Sequence, residues 1–411
     1  MDQDNKQHKS SWTIYPPDWN GVKKGTPNKE TFCSYPFESL FLETDGELKP
    51  CCAMTGSLGN IKEIPLTEII DGPLHKEIKE SICNGQWHPA CNECRAYESK
   101  GMESQRSQNA PPRWDDLIDK ISPDYFALTE TDLRWSNTCN LSCTYCGPHF
   151  SSQWAKVKND YKWKNLPDTP DTLIDYIFAE HSDTYKSASL LGGEPLLLKP
   201  NLKLIERAKS SGEFKFYVLS NFMSPMETNN IAQALLDYPH VQWQVSFECI
   251  GPRFEYVRHN GVWDTFEHNL RYIHERSGEK IRVFPTYCVY SALNLAEFYD
   301  YVLNSDIFDR NIGWTGLITP RALDIMEQTP AIKEEALWQL DIVLNNIDFH
   351  PKEPQLKYLL QFKKALEDRL DEPGEDFTKF HTMTDRLLGK IKGPLKEDRL
   401  PSKKLWPILF R

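Results

Sequence analysis

Cys139, Cys143 and Cys146 share one eight-residue stretch, Cys139-Asn-Leu-Ser-Cys143-Thr-Tyr-Cys146. Three thiolates on such a loop can take three corners of a four-iron cube, and a cluster closed by protein alone takes a fourth cysteine. None follows nearby, since the next is Cys249. One iron would be left for an exogenous ligand. Zinc competes for the same triplet, although it prefers four ligands and commonly two C-x-x-C knuckles. A second string, Leu191-Gly192-Gly193-Glu194-Pro195, carries two glycines that let main-chain polar groups approach a ligand. Alone it reads equally well as a turn at a strand end. A third group, Cys33, Cys51-Cys52, Cys91 and Cys94, surrounds Asp45-Gly46, a two-residue hairpin signal. Loop, hairpin and C-x-x-C can converge as four ligands of a closed centre, either an iron–sulfur cluster or a structural zinc ribbon.

Chemistry of this kind needs elements to hold it. A strand over Asp132–Ser136 runs directly into the triplet, and one over Ser187–Leu191 runs into the glycine pair. Further strands are expected at Phe214–Ser220, Val241–Phe247, Arg282–Val289 and Gly313–Ile318. Between them lie helical patterns at Ser151–Tyr161, Leu202–Ser210, Asn229–Tyr238, Asp264–Arg276 and Ala296–Leu303, with an extra piece at Asp171–Glu180. In Ala296–Leu303 the apolar Phe298, Tyr299, Val302 and Leu303 share a face. Repeated βα units imply a parallel sheet with ligands at the carboxyl ends of its strands. Ahead of them, a hairpin of Ser39–Thr44 and Glu47–Lys49, stopped by Pro50, and a helix over Leu66–Ile82 make a small cysteine module. The expected organisation is an arm at 1–30, the cysteine module at 31–110, the α/β domain at 125–330 and a helical extension at 331–411. Leu337, Leu340, Leu344 and Ile347 make one stripe of that extension, and Leu356–Leu370 carries another.

The triplet after a first strand and the Gly-Gly-Glu-Pro after a second resemble the radical SAM superfamily. The string DGELKPCC, with Gly59-Asn60-Ile61, Cys91-Asn-Glu-Cys94, Glu98 and Ser104-Gln-Arg106, resembles the twitch domain, a shortened relative of the SPASM domain. Its position ahead of the barrel is similar to that in N-terminal twitch-domain radical SAM proteins, and the likeness covers roughly 31 to 330. The resemblance implies an α/β fold: a partial (β/α)6 barrel preceded by the twitch module and followed by the helical C-terminal extension. It implies a 4Fe-4S cluster on Cys139, Cys143 and Cys146, whose open iron S-adenosylmethionine chelates. Reductive cleavage of that cofactor to a 5′-deoxyadenosyl radical, which abstracts hydrogen from a substrate, is the implied activity. Tyr145 matches the aromatic position set against the adenine. Gly192, Gly193, Glu194 and Pro195 match the motif at the methionine ammonium. Ser246 and Glu248 end the fourth strand, where relatives place polar groups against ribose and methionine. Arg258 is expected to pair the cofactor carboxylate. Phe222 stands where the family often has glycine after Ser220-Asn221, a departure that leaves Asn221 outside the expected set. Cys33, Cys51, Cys91 and Cys94 are the implied ligands of a second, auxiliary 4Fe-4S cluster for electron transfer, with Cys52 as the alternative to Cys51.

Other residues read as structure. Cys83, Cys249 and Cys288 are expected to be plain thiols, and His149 a loop residue. Tyr256, Trp263 and Trp314 near strand ends are candidates for a substrate pocket or for core. Composition narrows the class: 48 Lys and Arg against 59 Asp and Glu leave a net charge of −11, which disfavours general binding to nucleic acid or anionic membranes. The opening MDQDNKQHKS has no apolar signal core, and no run reaches the ~18 apolar residues of a membrane span. An odd count of 11 cysteines argues against a disulfide framework and for a cytoplasmic location. Expected partners are an electron donor such as flavodoxin or ferredoxin and a peptide or small-molecule substrate. Relatives act on ribosomal peptides, sugars and nucleotide-derived precursors, and a peptide or protein side chain is the expectation. A reading of another class is a non-catalytic iron–sulfur or zinc-binding interaction protein, which would not cleave S-adenosylmethionine.

Overall fold

The computed structural model describes residues 30–99, 104–108, 117–161, 169–210, 212–317, 320–350, 353–374 and 385. The expected arm, apart from Glu30, and the end of the helical extension lie outside the described residues. The chain forms two compact units. The first unit joins the described residues up to Ser136 with the segments 169–190 and 206–215. The second takes 137–161, 191–205 and the described residues from Phe216 onward.

In the first unit, β1 (Ser39–Leu42) turns through Asp45-Gly46 into antiparallel β2 (Glu47–Lys49), which pairs with β3 (Gly59–Asn60). Gly46 takes φ +94°, a conformation that glycine adopts without a Cβ penalty. Every residue of β1 is buried, so neither of its edges faces solvent. Its second edge pairs in parallel with β4 (Glu130–Leu133), from Ser39 opposite Glu130 to Leu42 opposite Leu133. β4 in turn pairs in parallel with β5 (Ser187–Leu190). This shared sheet is why the hairpin and the strand leading to the triplet belong to one unit. The helix expected over Leu66–Ile82 is two helices, Leu66–Ile70 and Pro73–Cys83. Pro73 cannot donate into a continuous helix, and a Cβ at Gly72 would meet the Ile69 carbonyl oxygen at 2.9 Å. Phe32, Phe37, Met54, Ile78, Ile82 and Leu117 form the module's core.

The second unit holds the parallel strands β6 (Lys215–Ser220), β7 (Val241–Val245), β8 (Ile281–Val283) and β10 (Phe308–Ile312), in that lateral order. A short parallel pair, β9 (Thr286–Tyr287) and β11 (Thr315–Gly316), stands apart from them. The last long strand therefore precedes the expected Gly313–Ile318. Only Phe308 and Ile312 of it are buried, and the polar Asp309-Arg310-Asn311 between them masks the apolar pattern. Phe216, Val218, Trp243 and Val245 are buried, and Phe247 packs among the rings of Phe266, Phe298 and Phe308. Trp314 is core against Tyr287 and Tyr299 rather than pocket wall, and Trp263 packs on Phe254 and Phe266. Beyond the strands stand the helices Pro330–Asn346 and Pro354–Asp368. The class is α/β with parallel strands, as the sequence implied. Among the described residues no helix is long and apolar enough to cross a membrane.

Candidate iron–sulfur and cofactor sites

The loop carrying Cys139, Cys143 and Cys146 is held from both sides by its own unit. Ser152 Oγ lies 3.1 Å from the Cys139 N–H and 3.2 Å from the Cys139 carbonyl, so one hydroxyl pins that residue's main chain. Ser151, the N-cap of helix Ser152–Lys158, donates to the Leu141 carbonyl at 2.6 Å, and Trp154 Nε1 donates to the Cys143 carbonyl at 2.8 Å. From the other side, the N–H groups of Ser142 and Thr144 donate to the carbonyls of His259 and Val257. None of the three is joined in a disulfide. Burial pushes Cys139 well up from its ordinary range, helped by the nearby Cys143, Glu194 and Cys146. Cys143 is pushed up to about 11 by burial, with Arg258 pulling it down and Glu248 raising it. Burial disfavours the thiolate, the form in which a bound metal takes a cysteine.

Among the described residues no three His, Cys, Asp or Glu side chains gather closely enough to hold one metal ion. In a 4Fe-4S cluster each thiolate binds its own iron, so its sulfurs stand further apart than the ligands of a single ion. The donor set on this loop fits such a cluster.

Gly193 shows why the Gly-Gly pair follows β5. A Cβ there would stand 2.3 Å from the Thr138 carbonyl oxygen and 2.6 Å from that of Asn137, and Glu194 N–H donates to the same Thr138 oxygen at 2.8 Å. Gly192 takes φ +123°, closed to most side chains. The Glu194 carboxylate is fully buried and turned into the fold. It accepts from Ser220 Oγ at 2.8 Å, the Asn221 N–H at 2.8 Å and the Leu196 N–H at 3.2 Å. Burial raises it to about 7 against these donors. Glu194 thus ties the Gly-Gly-Glu-Pro turn to the end of β6.

Glu248, fully buried, gathers Arg258 and Tyr145. It accepts from Arg258 Nη2 at 2.7 Å and Nε at 3.2 Å, and from the Tyr145 hydroxyl at 3.0 Å. The guanidinium also lies 5.8 Å from the Tyr145 ring centroid. Burial opposes its charge, but Glu248 outweighs that and holds Arg258 above its ordinary value. Two of its donor nitrogens are therefore committed to Glu248 rather than open to a ligand carboxylate. Ser246 continues β7 and donates its N–H to the Ser220 carbonyl at 3.1 Å.

Asn221 is the residue that sequence reasoning set aside. Its Nδ2 lies 2.8 Å from Asn140 Oδ1 and 3.8 Å from Cys139 Sγ, so it reaches the cysteine loop directly. Phe222 adopts φ +56°, the left-handed conformation that glycine would take there, and is fully buried against Trp243. Asn269 Nδ2 holds this turn by donating to the Phe222 and Ser224 carbonyls. The Ser-Asn pair at a strand end was the available signal, hidden by the aromatic identity of Phe222.

In the first unit, Cys33, Cys51, Cys91 and Cys94 line one pocket together with Pro50, Met54, Trp87 and Arg106. Cys52 is exposed and is influenced by Asp132 and Arg134. Burial pushes Cys91 up to about 12, with Cys94 adding to it and Arg106 opposing. Four free thiols around one desolvated space suit a closed cluster. Cys83 lies at the end of helix Pro73–Cys83, while Cys249 and Cys288 are buried in the second unit.

A family model described as the radical SAM superfamily matches residues 133–302, and one described as an iron–sulfur cluster-binding domain, SPASM, matches residues 33–95. Comparison with curated proteins gives no match. Among solved structures, anSMEcpe with bound AdoMet and a peptide is similar at 16% identity and a TM-score of 0.37, covering 53% of this chain and 60% of that one. SuiB of Streptococcus suis, bound to its precursor peptide SuiA, is similar at 14% identity and a TM-score of 0.39, over 75% of this chain and 72% of that one. The FeFe-hydrogenase maturase HydG of Carboxydothermus hydrogenoformans is similar at 16% identity and a TM-score of 0.36, over 58% and 57%. The match spans less than two thirds of the anSMEcpe chain.

Proposed function

We propose that this chain, a member of the radical SAM superfamily with an iron–sulfur cluster-binding domain ahead of its radical SAM domain, is an enzyme that cleaves S-adenosylmethionine reductively and uses the product to remove hydrogen from a substrate. Bound together, a 4Fe-4S cluster and S-adenosylmethionine supply that radical chemistry. The chain's own share is to hold and shield them. Cys139, Cys143 and Cys146 would take three irons, on a loop whose carbonyls and amides are already pinned by Ser151, Ser152 and Trp154. Tyr145, fixed through its hydroxyl by Glu248, would offer its ring to the adenine. The main chain of Gly192 and Gly193 would receive the methionine ammonium, with Glu194 and Pro195 setting the turn and Ser246 lining the ribose side. Arg258 would act through Glu248 and Tyr145, since that is where its donors go.

The observation that carries this reading is the contact of Gly193 with the Asn137-Thr138 carbonyls, which locks the two motif loops to each other. Anaerobic reconstitution with iron and sulfide, then dithionite and S-adenosylmethionine, tests it. The expected product is 5′-deoxyadenosine, absent in Cys143→Ala. A fully iron-loaded protein that releases none would leave the non-catalytic reading.

For the substrate we propose a peptide or protein side chain, one of the classes that the resemblance stated above implies. An auxiliary cluster on Cys33, Cys51, Cys91 and Cys94 would carry electrons, in a reducing cytoplasm where cysteines do not pair as disulfides. A soluble low-potential protein such as flavodoxin or ferredoxin would supply the first electron. Deuterium transfer into 5′-deoxyadenosine from perdeuterated peptide and small-molecule fractions, read by mass spectrometry, decides the class. Transfer from the small-molecule fraction alone would replace the peptide by a sugar or nucleotide-derived substrate.

A further inference from the structure

We infer that Arg106 is a positioning residue whose charge raises the reduction potential of a cluster held by Cys33, Cys51, Cys91 and Cys94. The inference rests on reading the cavity of the first unit as a second iron–sulfur site. Arg106 lines that cavity and is buried. Its guanidinium is fixed on three sides. Nη1 donates to the carbonyl of Phe32, the residue before Cys33, at 2.8 Å. Nε donates to Glu98 Oε1 at 2.9 Å, while Nη2 pairs with Glu98 Oε2. The Trp87 ring centroid lies 5.0 Å from the guanidinium carbon. The Arg106 main-chain N–H bonds the Cys94 thiol.

So placed, the cation acts on the sulfurs. Arg106 lines the same pocket as all four thiols, and its Nη1 bonds the carbonyl that precedes Cys33. Glu98, hydrogen-bonded to that guanidinium, carries the opposite charge. Reduction adds negative charge inside a cavity walled by Pro36, Pro50, Ala53, Met54 and Ile82, where solvent screens little. A fixed cation there stabilises the reduced state more than the oxidised one. Cluster potentials follow net charge and hydrogen bonds to sulfur, and outer residues act through both. Arginine suits this role because its charge survives burial and its fork accepts two anchors at once.

The test uses the full chain with Cys139, Cys143 and Cys146 replaced by Ala, so that one iron site remains. Iron analysis establishes loading, and EPR-monitored redox titration reads the midpoint potential. Arg106→Gln is expected to shift the midpoint negative, Arg106→Lys to keep most of the parent value, and Glu98→Gln to shift it positive. Opposite shifts from Arg106→Gln and Glu98→Gln identify the charge as the cause, since mere loosening would not move them in opposite directions. Unchanged midpoints, or shifts of the same sign, in iron-loaded variants overturn the inference. If Arg106→Gln fails to load, Glu98→Gln decides: a positive shift upholds the role and no shift ends it. A parent triple variant that holds no iron would instead sink the second-site reading, and the inference with it.

Discussion

Gly193 lies against Thr138 so closely that no side chain fits between them: a Cβ would stand 2.3 Å from the Thr138 carbonyl oxygen. The obstacle is backbone on both sides, with no flexible tip to give way. Two segments far apart in sequence are thereby set in one register, and the first cysteine follows Thr138 immediately.

Gly193→Ala is expected to push the cysteine loop away at about 1–3 kcal/mol, typical of overpacking. After reconstitution, iron per chain should fall by about four, the content of one cluster. Gly147→Ala, where an added Cβ meets nothing within 4 Å, should keep its iron. Equal iron in both variants would contradict the close-contact account.

Glu194 links protonation to stability. Burial raises it to about 7, so the folded chain binds a proton that the unfolded chain has already released. Its contribution is complete below the ordinary glutamate range and is lost as pH rises to about 7. Urea unfolding of apoprotein across that window should show this decline. In Glu194→Gln the pH dependence should flatten. The Gln amide must also set its NH2 against the Asn221 N–H or the Leu196 N–H, at about 1–3 kcal/mol for the unmet donor.

Breaking the Glu248–Arg258 pair leaves a buried charge without its counter-charge. Arg258→Met alone should destabilise by about 3–5 kcal/mol, and Glu248→Leu with Arg258→Met by much less than the sum of the single changes. Denaturation midpoints of the three variants measure this coupling. Additive losses would mean that the pair does not act as a unit.

The doublet Cys51-Cys52 separates by orientation. Cys51 faces the cavity with Cys33, Cys91 and Cys94, whereas Cys52 is exposed. Cys51→Ala should lose about four irons per chain, and Cys52→Ser none. Iron retained by Cys51→Ala but lost by Cys52→Ser would reverse the assignment.

The triplet, the Gly-Gly-Glu-Pro string and the flanking C-x-x-C were legible because ligand spacing on one short loop is a local property. So were most strands, in which buried positions alternate with more exposed ones. Less legible were β10, where polar residues fill the space between two buried ends, and the helix that Gly72-Pro73 divides. Phe222 misled most: its side chain argued against a left-handed turn that the backbone nevertheless makes, and so concealed the reach of Asn221 to Cys139.

What the sequence determined by itself is the chemistry: which thiols are spaced for iron, and that the βα order would set them at strand ends. What only the tertiary structure decided is commitment among partners distant along the chain. Arg258 turned to Glu248, Glu194 to the end of β6, and Cys51 rather than Cys52 to the cavity. The physical reason is that a buried polar group must find a partner when the chain packs, and packing brings together donors and acceptors that no spacing rule relates.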